Sequence, residues 1–217
     1  MDPRDHWNGV YRSKDAADLS WYQPRAALSL EWIVAHVPDR VARVLDVGGG
    51  ASTLVDGLLA AGHGNVAVLD VSGAALTQAA QRLGPSADAV RWIEADVLTH
   101  EFAPDSVALW HDRAVFHFLT AREDRRRYVR QVRRALRPGG LVLLATFASD
   151  GPTRCSGLDV VRYDPNDLQA EFGTPFERVA TRREVHRTPS GVEQAFTYLL
   201  LRYAPAILSL IHISEPT

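Results

Sequence analysis

Short apolar runs alternate with amphipathic segments along most of this chain. Arg43-Val-Leu-Asp-Val47 crowds aliphatic and β-branched residues into a run too short for a helix, so it reads as a buried strand. Val66–Leu69, Val90–Ile93, Ser106–Trp110 and Leu141–Thr146 repeat the pattern. Helical stretches stand around and between them. Leu28, Trp32 and Ala35 fall at helical spacing, and Pro38 ends that segment. Ala75, Leu76, Ala79, Ala80 and Leu83 share one side of a helix that Ser72 can cap. Tyr128, Val129, Val132, Ala135 and Leu136 form the inward stripe of a longer helix, which Arg137-Pro-Gly-Gly140 stops. Repeated β–α units of this kind predict an α/β fold: a mainly parallel sheet with helices on both faces.

The last third breaks the rhythm. Phe176–Arg187 and Val192–Tyr203 read as two strands joined by Thr188-Pro-Ser-Gly191, a hairpin signal. The first carries Arg182, Arg183, Glu184 and His186, as an edge strand should. The second is apolar on both faces, with Phe196, Tyr198 and Leu200 alternating with Ala195, Leu199 and Leu201, so it belongs inside the sheet. Residues 1–205 are therefore expected to form one domain, with about 1–38 as an N-terminal lid. Residues 206–217 follow the buried strand with no turn and no partner; they resemble translated adaptor or vector sequence and are left out of the fold.

Composition narrows the class of function. The 217 residues are enough for one sizeable core. With 24 Lys+Arg against 26 Asp+Glu the formal charge is −2, so nothing global draws the chain to nucleic acid or anionic lipid. No apolar run reaches the length of a membrane span, and the polar start is not a signal peptide. The single cysteine, Cys155, has no internal partner, and no Cys/His cluster has zinc spacing, so no metal is expected. The expected setting is cytoplasmic. The arginines between Arg122 and Arg137 read as a solvated outer face rather than an RNA-binding stripe.

Chemistry concentrates after the first strand. Gly48, Gly49 and Gly50 allow a tight reversal and a close approach to bare backbone, and Ser52 can cap the helix that follows. A dinucleotide fingerprint needs a third glycine where Thr53 stands. Asp46, just before the turn, would add negative charge beside phosphates and suits a ligand with a cationic end. Asp46-Val-Gly-Gly-Gly50 resembles the D-x-G-x-G motif of class I S-adenosylmethionine-dependent methyltransferases, whose cofactor carries an ammonium and a sulfonium and no phosphate. The resemblance spans roughly residues 6–203 and implies a Rossmann-like seven-stranded sheet with the last strand antiparallel.

In a doubly wound sheet the ligand lies across the carboxyl ends of the strands. Asp70, about 20 residues beyond the glycine turn, stands where an acid takes ribose hydroxyls, with Val71 beside it. The resemblance implies that Asp96 accepts the adenine amino group, with Val97 adding backbone and apolar contact. It places His111, Asp112 and Arg113 nearest the methyl group, Asp112 and Arg113 on the acceptor side. Asp112 reads equally as a cap for a helix over Arg113–Leu119, and His117, between Phe116 and Phe118, reads as a core histidine. His6-Trp7-Asn-Gly-Val-Tyr11 and Ser20-Trp-Tyr-Gln23 are similar to the N-terminal lid of the citrate synthase and elongation-factor lysine methyltransferase group, which implies Trp21 and Tyr22 over the cofactor. Aromatic faces suit a sulfonium; plain packing of a leading helix gives the same pattern. The chain is thus expected to move a methyl group by in-line displacement to a small-molecule or protein acceptor. The competing readings are an NAD(P)-dependent oxidoreductase of Rossmann type and a cofactor-binding protein without turnover.

Overall fold

The computed structural model describes residues 2–205; the expectation for the tail at 206–217 lies outside the described residues. Seven strands form one sheet: β1 (Val44–Val47), β2 (Val66–Asp70), β3 (Val90–Glu94), β4 (Val107–Arg113), β5 (Leu136–Phe147), β6 (Phe176–Arg187) and β7 (Glu193–Tyr203). Their order is β3-β2-β1-β4-β5-β7-β6. The first five are parallel. β7 runs antiparallel between β5 and β6, with Leu143 opposite Leu200 and Phe147 opposite Phe196. Its two apolar faces decide that position: Phe196, Tyr198 and Leu200 enter one core, Leu199 and Leu201 the other. The edge strand β6 is polar along most of its outer face, as its arginines require.

Six α-helices cover the sheet: α1 (Pro3–Ser13), α2 (Ala27–His36), α3 (Leu54–Ala60), α4 (Gly73–Leu83), α5 (Arg122–Ala135) and α6 (Pro165–Phe172). One core packs α2 and α3 against β1, β4 and β5 through Ile33, Leu58, Leu109 and Leu143. The other packs α5 and α6 through Tyr128, Val132, Leu168 and Phe172. No helix among the described residues is long and apolar enough to cross a membrane.

Several boundaries differ from the sequence reading. β5 begins at Leu136, which pairs with Val107 before an irregularity in register, so Arg137–Gly140 lie within the strand rather than ahead of it. β4 runs on through His111, Asp112 and Arg113, because Leu143, Leu144 and Ala145 continue the pairing. The expected helix over Arg113–Leu119 shrinks to a single 3₁₀ turn, Phe116–Phe118. Thr53, not Ser52, occupies the cap position of α3, although Ser52 Oγ still accepts the Leu54 N–H at 3.1 Å. Most arginines between Arg122 and Arg137 are exposed, as a solvated outer face requires, while Arg125 pairs with Glu171 and Arg134 donates to the Phe102 carbonyl.

Candidate functional site

Strand order reverses between β1 and β4, and at the carboxyl edge of the sheet there a cavity of about 380 Å³ opens. The ends of β1, β2 and β3 supply Gly48, Asp70, Val71, Asp96 and Val97 to its wall. The end of β4 and its turn add Arg113, Val115 and Phe118, and the stretch after β5 adds Cys155 and Leu158. Helix α1 closes it with His6, Trp7 and Tyr11. A smaller recess of about 50 Å³ adjoins it, sharing Tyr11, Trp21, Gly48 and Arg113, and is walled also by Tyr22, Asp46, Gly49 and His111.

The glycine turn lets the neighbouring side chains pack closely at the end of β1. Gly48 has φ +63°, and a Cβ there would run into the Val115 side chain. Gly50 does not reach the cavity wall. It has φ +50° and sits against the Tyr11 hydroxyl and the Asp70 carboxylate, so its part is to let those two side chains close together.

Each strand-end acid is braced. Asp70 Oδ1 accepts the Ser72 N–H at 2.8 Å, and Asp96 Oδ1 accepts the Leu98 N–H at 2.8 Å. Burial pushes the Asp70 carboxyl up to about 7, against the pull of the Ser72 N–H, and the charge of Asp46 adds to the rise. Asp46 Oδ1 accepts from His111 Nδ1–H at 2.6 Å, and His111 Nε2 lies 2.9 Å from the Ser29 hydroxyl, which donates to it. This buried relay fixes the ring at the recess.

Helix α1 is tied down by polar contacts. Asn8 Oδ1 accepts from the Ser72 hydroxyl at 2.8 Å and from the Ala74 N–H at 3.2 Å, while Gln78 Nε2 donates to the Tyr11 carbonyl at 2.6 Å. Trp7 meets Trp21 and Phe118 edge to face, with ring centroids 5.7 and 5.2 Å apart. The lid's second segment is held by the edge strand: His186 Nε2–H donates to the Ser20 carbonyl at 2.8 Å.

Eleven of the thirteen residues singled out in the sequence line the cavity or the recess; Gly50 and Asp112 do not. Asp112 is the substantive correction. It is fully buried and points to the α5 side of the sheet, where its carboxylate accepts from the Tyr128 hydroxyl and from the N–H groups of Val115, at 2.9 Å, and Phe116. Neighbouring Arg113, one residue on, necessarily faces the other way. Asp112 therefore braces the turn that carries Val115 and Phe118 and does not border the cavity. Burial raises its carboxyl to about 6, opposed by the Tyr128 hydroxyl. His117 is buried away from the cavity, with Nδ1 accepting the Phe147 N–H at 3.4 Å. Cys155 is on the wall, and burial raises its thiol to about 11, so it is no thiolate nucleophile.

Tyr11 and His6 were visible in sequence only as members of an aromatic-rich start; that Tyr11 touches both chambers depends on how α1 docks on α4. Leu158 gave no local signal, because its place is set by the two-residue ribbon Arg154–Cys155/Leu158–Asp159. Among the described residues no group of three His, Cys, Asp or Glu is gathered as a metal site.

Comparison with known proteins supplies the context. Residues 44–140 match the family model described as a methyltransferase domain. A structure concerned with converting a disulfide bond into a thioacetal group during echinomycin biosynthesis superposes with TM-score 0.71 at 18% identity, covering 93% of this chain and 92% of the other. A S-adenosylmethionine-dependent methyltransferase from Anabaena variabilis gives 0.69 at 16%, covering 94% and 96%. The Burkholderia thailandensis 1,6-didemethyltoxoflavin-N1-methyltransferase, solved with 1,6-didemethyltoxoflavin and S-adenosylhomocysteine, gives 0.65 at 21%, covering 93% and 84%. At these identities the structural likeness is one of fold. No curated protein sequence matches the chain. None of these comparisons names the citrate synthase or elongation-factor lysine methyltransferase group.

Proposed function

We propose that this chain, a class I S-adenosylmethionine-dependent methyltransferase, transfers its methyl group to a small molecule held inside the cavity beneath α1. One observation carries the reading. The glycine turn at the end of β1 opens onto a cavity whose wall holds one braced acid from the end of β2 and one from the end of β3.

The residues suit the cofactor. A carboxylate offers two acceptor oxygens and a ribose edge two donors, so Asp70 is matched to the ribose and Asp96 to the adenine amino group. Val71 and Val97 pack beside them, and Gly48 brings bare backbone to the wall. Asp46, with His111, faces the recess and is suited to the ammonium end; Gly49, Trp21 and Tyr22 complete that wall. The volume lies within the range of pockets that enclose a small molecule.

When bound, S-adenosylmethionine supplies an electrophilic methyl group on sulfur, with a neutral thioether as leaving group. The protein's task is then alignment and exclusion of water, since holding reactants in a near-attack geometry is worth several kcal/mol. Trp7, Trp21 and Phe118 close the acceptor side with apolar surface. Arg113 borders both chambers and is placed to position the acceptor. Enclosure by α1 favours a small molecule over a protein side chain, and the toxoflavin enzyme, solved with its small heterocycle, shows that this fold can serve such an acceptor. Incubation with methyl-labelled S-adenosylmethionine, a metabolite panel and a cell lysate should put label into small molecules. Label confined to protein would contradict the small-molecule reading.

A further inference from the structure

Among the described residues Arg113 is the one Lys or Arg on the walls of the cavity and the recess. Its guanidinium is fixed on three sides. Nε–H donates to the Tyr198 hydroxyl at 3.2 Å, Nη1–H donates to the Trp21 carbonyl at 3.0 Å, and the group lies over the Phe196 ring, 4.4 Å from its centroid. Nη2 is buried, and among the described residues no group accepts its two N–H bonds. No carboxylate among the described residues makes an ion pair with it. Arginine keeps its proton at any working pH, and this half-buried guanidinium, with its Nη2 buried and no counter-ion beside it, is suited to an anion.

The geometry points to the carboxylate of the methyl acceptor as that anion, making the substrate a small carboxylic acid with an apolar body; this rests on the methyltransferase reading above. Tyr198 and Phe196 belong to β7, beyond β5, so the side chain extends away from the β1–β3 half that carries Asp70 and Asp96. Those acids repel an anion from that half, and Arg113 attracts it to the other. A single guanidinium matches a singly charged carboxylate, whereas a phosphate dianion would call for a second cation. Trp7, Phe118 and Leu158 offer the acid's remaining surface only apolar contact. The other carboxylate that could reach this group is the cofactor's own, because Arg113 also borders the recess.

Calorimetry on the full chain loaded with S-adenosylhomocysteine, with benzoate and its neutral isostere benzamide as probes, tests the assignment. Benzoate should bind at least about tenfold more tightly than benzamide, and Arg113→Gln should erase that preference to within about twofold. Arg113→Lys, which keeps charge but loses the fork, should retain a reduced preference, and it serves as the test if the Gln variant does not fold. Arg113→Gln should bind S-adenosylhomocysteine and 5′-methylthioadenosine, which lacks the amino-acid end, each within about threefold of the unsubstituted chain. Equal binding of benzoate and benzamide would overturn the proposal. So would an Arg113→Gln variant that weakens S-adenosylhomocysteine about tenfold and leaves 5′-methylthioadenosine unchanged, because the guanidinium then belongs to the cofactor. If S-adenosylhomocysteine did not bind at all, the methyltransferase reading would fall separately, and the benzoate-to-benzamide ratio on the unliganded chain would still decide Arg113.

Discussion

Asp70 and Asp112 show how burial sets two carboxyls to different work. Asp70 accepts the Ser72 N–H on the cavity wall, and burial lifts its carboxyl to about 7. The unliganded fold therefore keeps this proton longer than the unfolded chain, whose carboxyl titrates near 3.8. Its contribution to stability is full below that value and is lost as pH rises through about 7. In the proposed complex ribose hydroxyls donate to the ionised form, so cofactor affinity should rise with pH up to the same point and then level off. Asp70→Asn should flatten both trends: in melting scans the unliganded variant should match or exceed the unsubstituted chain at pH 8. Calorimetry should show S-adenosylhomocysteine weakened by about 1.5–3 kcal/mol for each charge-assisted bond lost. Asp112 is different, because every direction its carboxylate faces is filled with a donor: the Tyr128 hydroxyl and the N–H groups of Val115 and Phe116. An asparagine would turn an N–H₂ toward one of them, so Asp112→Asn should cost about 1–3 kcal/mol of stability, read by denaturant titration. Cofactor affinity per folded molecule should change little. A loss of turnover with stability intact would instead return Asp112 to the site.

At the scale of elements, the cavity is made by docking α1 and the Ser20–Gln23 segment over the sheet edge. Asn8 bridges α1 to the start of α4, and His186 on β6 holds the Ser20 carbonyl. Trp21 joins the two pieces: its ring packs on Trp7 and Tyr11 while its carbonyl takes Arg113. Trp21→Ala should loosen the lid, lower S-adenosylhomocysteine affinity by about tenfold and raise hydrogen exchange in residues 3–13, since stacked aromatic contacts contribute about 0.5–1.5 kcal/mol beyond their area. Unchanged exchange would mean that α1 docks without it. Element type was legible where the chemistry is local: the apolar strands, the Ser72 cap and the doubly apolar β7 are all written in short windows. The direction of Asp112 was not. It depends on β4 continuing through Arg113, and that continuation comes from pairing with Leu143–Ala145 across the sheet rather than from the run His111-Asp-Arg113 itself.

For the molecule as a whole, the order β3-β2-β1-β4-β5-β7-β6 divides labour across the switch point. The β1–β3 half carries the acids, the β4–β7 half carries Arg113 with its aromatic support, and α1 spans both. The proposed cofactor half could be read from sequence because each of its strands ends in a candidate residue. The proposed acceptor half could not, because Tyr198, Phe196 and Leu158 meet Arg113 and the cavity only through the antiparallel return of β7 and the ribbon after β5. The same division contrasts with a dinucleotide site: Thr53 stands where the third glycine would be, and β6 and β7 form an antiparallel hairpin where further parallel units would stand. Isothermal calorimetry of the full chain with S-adenosylhomocysteine and, separately, with NAD tests this most directly. One equivalent of S-adenosylhomocysteine should bind, more weakly in Asp70→Ala, while NAD gives no heat of binding. Binding of NAD without binding of S-adenosylhomocysteine would contradict the assignment of this cavity.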